Sequence, residues 1–367
     1  MPRKGENIYK RKDGRWEGRY IKYHDLNGKA VYGFIYRHSY GEVKQDLLMI
    51  KASKVKPVKS SKETFGSYLS YWLDNVKPTL KQSTFDSYSN YVHKHIIPHL
   101  GVVQISRITI ELLQKFINLK SKELSPKTIL SLKSVLNLAL SKAEEQNFVV
   151  NPCKYLKLPR CSADEMRVFT LPEQKELESV LDSRSDIGVL ICLYTGIRIG
   201  ELCALRWNDI NFNTGTLYIR KTMQRVKDDS ENNSKTKVII DEPKSPASKR
   251  SIPIPSFLIN TLKHYKSTCN NSDFVISVYN RFMEPRTYQY RFKTLLKNAG
   301  IDNANFHSLR HTFATRALEI GFDVKTLSDI LGHSNPNITL KRYAHSLDTH
   351  KRKAMDKLEQ VYNAERI

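Results

Sequence analysis

Apolar positions along the chain follow three successive rhythms. Up to about residue 52 they mostly alternate with polar ones. Ile8–Arg11, Trp16–Tyr23 and Ala30–Tyr36 are rich in aromatic and β-branched residues, as strands are, and Lys12-Asp13-Gly14-Arg15 and Asp25-Leu26-Asn27-Gly28 supply turn chemistry between them. From Tyr40 to Lys51 the spacing lengthens, so Val43, Leu47 and Ile50 share a helical face. A small three-stranded sheet backed by one helix is expected.

Ala52–Lys62 is basic, contains Ser and Pro and has little apolar content, so it reads as a linker. The next segment, to about residue 160, has helical spacing throughout. Its stripes are Phe65, Tyr68, Leu69 and Trp72, then Phe85, Tyr88 and Tyr91 after a Ser83-Thr84 start. Leu112, Leu113, Phe116 and Ile117 follow, and then Ile129, Leu132, Val135, Leu136 and Leu140. Pro78, Pro98-His99-Leu100-Gly101 and Ser125-Pro126 punctuate them. The expectation is a helical bundle whose aromatic stripes form its core. From about Ser162 helical patterns mix with strands near Leu217–Arg220, Val238–Ile240 and Arg250–Ile254. The fold class is therefore multidomain α+β, with boundaries at 1–55, 62–160 and 162–367.

Charge adds a partner to this outline. The 367 residues carry 60 Lys and Arg against 37 Asp and Glu, a net charge of +23. Residues 1–60 hold 15 basic and 6 acidic side chains, a net of +9, and the density falls toward the C-terminal segment. Such a surface attracts a polyanion in a salt-dependent way, without sequence specificity. In the second expected strand Arg19, Ile21 and Tyr23 alternate with Trp16, Gly18, Tyr20 and Lys22, a basic and aromatic interleaving that suits a nucleic-acid groove. The alternation leaves open which face would meet it. No apolar run reaches the ~18 residues of a membrane helix. The basic N-terminus has no apolar stretch behind it, so no secretory signal is expected. Five scattered cysteines without a CxxC pair argue against a disulfide scaffold or a zinc finger and for a reduced, cytosolic compartment.

Four stretches carry the chemistry: Thr195-Gly-Ile-Arg-Ile-Gly-Glu-Leu202 with Leu205-Arg-Trp-Asn-Asp209; Pro243-Lys-Ser245 leading to Lys249-Arg-Ser-Ile-Pro253; His307-Ser-Leu-Arg-His-Thr-Phe-Ala-Thr315; and Leu331-Gly-His333, with Tyr343-Ala-His345 beyond it. His307 and Arg310 share a face if the chain is helical from Ser308, with Leu309, Phe313 and Ala317 on the buried side. Val324–Leu331 reads as the next helix, stopped by Gly332, a turn that can aim His333 away from helical packing. Asn335-Pro336 starts another helix, which would present Tyr343 near its far end. Guanidiniums suit phosphate because their planar forks bind two oxygens and stay charged. A tyrosine, titrating near ~10, becomes a nucleophile only where cations stabilise the phenolate or a base takes its proton. No carboxylate cluster accompanies these groups to hold metals, which disfavours a two-metal nuclease. The chemistry implied is attack by a tyrosine on a DNA phosphate.

On these residues, in this order, the segment from Ser162 resembles the tyrosine recombinases of the phage integrase family. Its signatures are Arg198 in TGIRIGEL, His307-x-x-Arg310-His-x-Phe, Leu331-Gly-His333 and Tyr343. The helical segment with Ile97-Pro-His-Leu-Gly101 resembles that family's core-binding domain. The N-terminal sheet resembles the arm-binding domain of integrases from temperate phages and conjugative transposons of Gram-positive bacteria. The resemblance implies that Arg198 and Arg310 clamp the scissile phosphate, and that Tyr343 takes the 3′ phosphate and releases a 5′ hydroxyl. It implies that Lys244 protonates the leaving oxygen, although Lys235, Lys237 and Lys249 lie near it. His307 would assist proton transfer and His333 would hydrogen-bond the phosphate. Glu201 and Asp209 would be structural, pairing with arginines or capping, and His311 and His345 would have packing or polar roles.

The resemblance further implies integration and excision of a mobile element or prophage by a homotetramer on double-stranded DNA with core-type and arm-type sites. An excisionase and a host DNA-bending protein would be partners, no cofactor or metal would be needed, and the enzyme would act in the bacterial cytoplasm at the nucleoid. The tail Lys351–Ile367, with Met355, Leu358, Val361 and Tyr362 on one face, would dock on a neighbouring protomer or pack back in cis. Two other classes fit parts of the pattern. A type IB topoisomerase-like enzyme would lack a separate N-terminal module, and a non-catalytic DNA-binding regulator would not need every catalytic position filled.

Overall fold

The computed structural model describes residues 7–24, 30–53, 62–160, 166–182, 186–228, 235–243, 246–268 and 272–340, together with Met355. The chain divides into two compact units, Met1–Cys161 and Ser162–Ile367.

The first unit opens with strands β1 (Ile8–Lys10), β2 (Trp16–His24) and β3 (Ala30–Arg37), an antiparallel sheet in that order, followed by helix α1 (Tyr40–Ser53). Val43 and Leu47 of α1 bury Ile8 and pack on Trp16, Tyr20 and Ile35. Gly18 permits this approach, since a Cβ there would lie 2.5 Å from Val43 Cγ1. The face of β2 carrying Trp16, Gly18 and Tyr20 is thus covered by α1. Arg19 pairs across the ladder with Phe34 and Ile21 with Tyr32, on the opposite face. There Ile21, Tyr32, Phe34 and Tyr36 are exposed. The pattern alone could not assign the two faces; the position of the helix does.

The bundle follows as α2 (Phe65–Val76), α3 (Gln82–Tyr91), α4 (Ile97–Leu100), α5 (Ile110–Lys120) and α6 (Pro126–Glu145). Thr64, Thr109 and Ser125 cap α2, α5 and α6 by accepting backbone N–H bonds, and Pro126 occupies the first turn where its missing N–H costs nothing. Helix α3 begins one residue before Ser83, with Lys81 at its cap, and a π-turn at Val92–Ile96 joins it to α4. Phe65, Tyr68, Leu69 and Trp72 are buried against Leu113, Phe116, Leu132 and Leu136, while Phe85, Tyr88 and Tyr91 pack at the margin. The aromatic stripes are core, as expected.

The second unit is mainly helical. Its helices are α7 (Leu171–Ser179), α8 (Ile187–Thr195), α9 (Ile199–Ala204), α10 (Ser256–Thr268), α11 (Pro285–Asn298), α12 (His307–Glu319) and α13 (Val324–Leu331). Its strands are β4 (Ile210–Asn211), β5 (Thr216–Ile219), β6 (Thr222–Lys227), β7 (Thr236–Asp241), β8 (Arg250–Pro253), β9 (Ser277–Val278) and β10 (Arg281–Phe282). They form a sheet ordered β4-β5-β8 and two antiparallel ribbons, β6-β7 and β9-β10. The strand expected near Val238–Ile240 is β7, and it pairs with β6, which the sequence did not indicate; Arg225 faces Val238 across the ribbon. Residues 336–340 are helical, with Asn335 Oδ1 accepting from the Asn337 N–H. Helix α8 is apolar on every side and sits in the core with Leu202, Tyr288, Phe292 and Leu309. This multidomain α+β architecture is the one expected. No helix among the described residues is long and apolar enough to cross a membrane.

Candidate active site

Two helices of the second unit end in the same way, and their ends define the site. Helix α8 stops at Gly196 (φ 64°) and α13 at Gly332 (φ 65°), both in the left-handed conformation that lets a helix close its last turn. Neither could carry a side chain. A Cβ on Gly196 would lie 2.5 Å from Phe313, and one on Gly332 would lie 2.9 Å from Arg250 Nη1.

Arg310, one turn into α12, reaches between these ends. Its Nη1 donates to Gly196 O at 2.7 Å, and its Nη2 to Leu331 O at 2.7 Å. At 2% exposure it is a buried cation, held where two helix macrodipoles present their negative ends. Each such end contributes on the order of 1 kcal/mol toward a buried charge whose desolvation costs several.

His333 sits beside it. Arg310 Nη2 lies 2.9 Å from His333 Nε2, and His333 Nδ1 lies 2.7 Å from Thr339 Oγ1. A guanidinium nitrogen can only donate, so this geometry assigns Nε2 as the acceptor and places the ring hydrogen on Nδ1, facing the threonine. The αL turn therefore brings His333 into packing, at 8% exposure, rather than away from it. His307 opens α12 with its backbone N–H on Asn305 Oδ1 and its side chain exposed. Its ring meets that of His311 edge-on at 4.6 Å. Beside them a cleft of about 430 Å³ opens between Ile197, Ile199 and helix α11, with Arg286, Tyr290, Lys293 and His307 on its walls.

Arg198 enters from the turn between α8 and α9. Its Nη1 donates to Glu201 Oε1 at 2.8 Å, its backbone N–H to Glu201 Oε2 at 2.9 Å, and its Nη2 reaches Gly332 O at 3.5 Å. Glu201 also takes both terminal nitrogens of Arg250, at 3.1 and 2.9 Å. Burial works hardest against the Glu201 charge, but the bonds and charges of Arg250 and Arg198 together outweigh it, so its carboxyl lies below the ordinary range. Two guanidiniums on one carboxylate leave a positive charge over. Exposure decides which carries it outward: the Arg198 side chain is 37% exposed and that of Arg250 is 6%.

The structure thus brings Arg198, Arg310 and His333 to consecutive residues at the end of α13, with His307 one turn before Arg310. Lys244 and Tyr343 lie outside the described residues, as does the tail after residue 340 apart from Met355. Two of the lysines near Lys244 are engaged by carboxylates, Lys237 with Asp228 and Lys249 with Glu242. Asp209 accepts from Arg220 and from the backbone of Arg206, a pairing and capping role. Sequence reasoning passed over Thr339 and Arg250. Only Arg250 left a signal: it alternates with Ile252 and Ile254, which places it on the inward face of its strand.

A half-open guanidinium, a buried one and an imidazole gather around one helix terminus, donor types that suit a tetrahedral oxyanion. Comparison with known proteins gives the class. Residues 168–350 match the phage integrase family, and residues 64–121 match the phage integrase N-terminal SAM-like domain. A tyrosine recombinase XerC-like protein of Caldanaerobacter subterraneus subsp. tengcongensis is 29% identical over 92% of this chain and 94% of its own. An integrase of Saccharopolyspora erythraea is 23% identical over 98% and 97%. Among solved structures, the Tn1549 transposon integrase in complex with a circular intermediate DNA has the same fold (TM-score 0.70, 22% identity, 81% of this chain and 100% of that one). So does a lambda integrase dimer bound to a COC′ core site (TM-score 0.58, 18% identity, 94% and 96%). The chain belongs to the phage integrase family and is a site-specific tyrosine recombinase.

Proposed function

We propose that this recombinase integrates and excises a mobile element or prophage by way of a 3′-phosphotyrosyl intermediate. The observation that carries the reading is the convergence of Arg198, Arg310 and His333 on the end of α13. Arg198 and Arg310 hold the non-bridging oxygens of the scissile phosphate, and His333 hydrogen-bonds to it. The Tyr343 oxygen attacks phosphorus, the P–O5′ bond breaks, and Lys244 protonates the leaving 5′ oxygen while His307 assists removal of the phenolic proton. The cationic pocket stabilises the extra negative charge of the pentacovalent transition state. The new ester conserves the energy of the old bond, so the 5′ hydroxyl of another strand can reverse the step without a cofactor.

Two such exchanges joining two duplexes need four active sites. Solved relatives support that assembly: a lambda integrase tetramer bound to a Holliday junction is among the structures of this fold. The helical domain over 62–160 and the catalytic domain over 162–367 would hold the core site. The sheet over 1–55 would hold arm sites through its exposed face, where Arg19 lies 3.7 Å from the Tyr32 ring centre and Arg11 and Arg15 flank Tyr36. An excisionase and a host DNA-bending protein would set direction, in the cytoplasm at the nucleoid. The test is covalent trapping. A nicked suicide duplex carrying the core attachment site should yield a protein–DNA adduct with the wild type and none with Tyr343→Phe. An equal yield from both would refute the tyrosyl mechanism.

A further inference from the structure

Three consecutive carbonyls at the end of α13, those of Ile330, Leu331 and Gly332, receive three different guanidiniums: Arg250, Arg310 and Arg198. Two of these belong to the phosphate seat. The third, Arg250, comes from strand β8 and gives its donors to protein acceptors, touching every part of the seat's support. Its Nε donates to Ile330 O at 2.5 Å and its Nη1 to Ser248 O at 3.0 Å. Its Nη1 and Nη2 together clasp Glu201. Gly332 passes over it so closely that no Cβ would fit. Arg250 therefore ties the N-terminus of α9, the turn before β8 and the end of α13 into one unit.

We propose that Arg250 is a positioning residue for strand cleavage. It fixes Glu201, and through it the direction of Arg198, and it anchors the turn that carries His333. The inference rests on the reading of Arg198 and His333 as phosphate-holding groups. Only a planar fork makes these bonds at once. A lysine keeps the charge but can satisfy Glu201 or the Ile330 carbonyl, not both with the same geometry.

The experiment compares full-length Arg250→Lys, Arg250→Met and the double variant Arg250→Met/Glu201→Gln with the wild type on the same nicked duplex, measuring DNA binding, adduct formation and thermal unfolding. Arg250→Lys is expected to bind the duplex as the wild type does and to form the adduct about 10²-fold more slowly, the scale of a small misplacement of catalytic groups. Arg250→Met leaves the buried Glu201 carboxylate to Arg198 alone and should lower the melting temperature. The double variant removes both charges and should regain it, as buried pairs replaced together often do, while cleavage stays slow. Wild-type cleavage by Arg250→Lys, or by the double variant, would overturn the proposal. So would a loss of DNA binding equal to the loss of rate, which marks a merely structural role. A wild type that forms no adduct would overturn the phosphate-seat reading and this inference with it, a result distinct from any difference among the Arg250 variants.

Discussion

Thr339 is buried and its hydroxyl faces one nitrogen of His333, while Arg310 faces the other. The hydrogen bond at one ring nitrogen fixes what the other can do. With Nδ1–H given to Thr339, Nε2 is the atom beside Arg310, and in the proposed role it would donate to a phosphate oxygen only after taking up a proton. Thr339→Val removes the acceptor at Nδ1, and with it the bond that orients the ring and supports its doubly protonated form. Cleavage should slow about two- to tenfold, the worth of one such bond, and Thr339→Ser should restore it; single-turnover adduct formation measures both. An unchanged rate for Thr339→Val would show that the ring is oriented by packing alone. At this scale the sequence revealed the charged groups but not their supports. Arg198, His307, Arg310 and His333 stand in short recognisable strings. Glu201 was expected to pair with an arginine and does so with Arg198, but its second partner, Arg250, is 49 residues away, and the Ile330 carbonyl that completes the contact is 80 residues beyond Arg250. Local spacing contains no information on such pairs.

The decisive element is the left-handed turn after α13. Gly332 and Gly300 share nearly the same backbone, φ 65° and φ 64°, but Gly300 has open space around it. Alanine at Gly300 should cost only the backbone strain, about 1–2 kcal/mol. Alanine at Gly332 adds a clash with Arg250, so its melting temperature should fall further and its cleavage rate with it. Equal losses in the two variants would mean that the turn yields without disturbing the site. A second element reports through pH. Bonds from Arg167, then the backbone of Thr170, hold the Glu173 carboxyl at the start of α7 down to about 2 from an ordinary 4.5. A depressed carboxyl stabilises the fold above its unfolded pKa and loses that contribution as pH falls toward the folded one. The wild type should therefore lose its stability margin over Glu173→Gln between pH 4.5 and about 2, followed by thermal unfolding. A margin independent of pH there would contradict the capping role. Helix α7 itself was faint in the sequence because only Leu177 is buried along it. Helix α13, with its apolar stripe and αL glycine, was legible to the residue, and the start of α12 was legible from the spacing of His307 and Arg310. Strand β6 was missed because only Met223 and Val226 are buried along it, three apart and so without a strand's alternation, and the π-turn at Val92–Ile96 has no counterpart in an apolar period.

Across the whole molecule, the +23 charge gives attraction to DNA, and the folded surfaces give it direction. The exposed face of the N-terminal sheet stacks arginines on aromatic rings, whereas the second unit gathers them at buried helix ends. The proposed separation of arm binding from core cleavage rests on this division. Arg19→Ala should weaken binding to arm repeats in gel-shift assays and leave cleavage of a core duplex intact; loss of both would contradict the separation. The proposed mechanism depends on which protein atom becomes bonded to DNA. Peptide mapping by mass spectrometry of adducts stalled on the nicked duplex tests this most directly. A nucleotide-bearing peptide modified at Tyr343, absent when Arg198 or Arg310 is replaced by alanine, is the predicted result. Attachment to any other side chain, or adducts that form without those arginines, would contradict it.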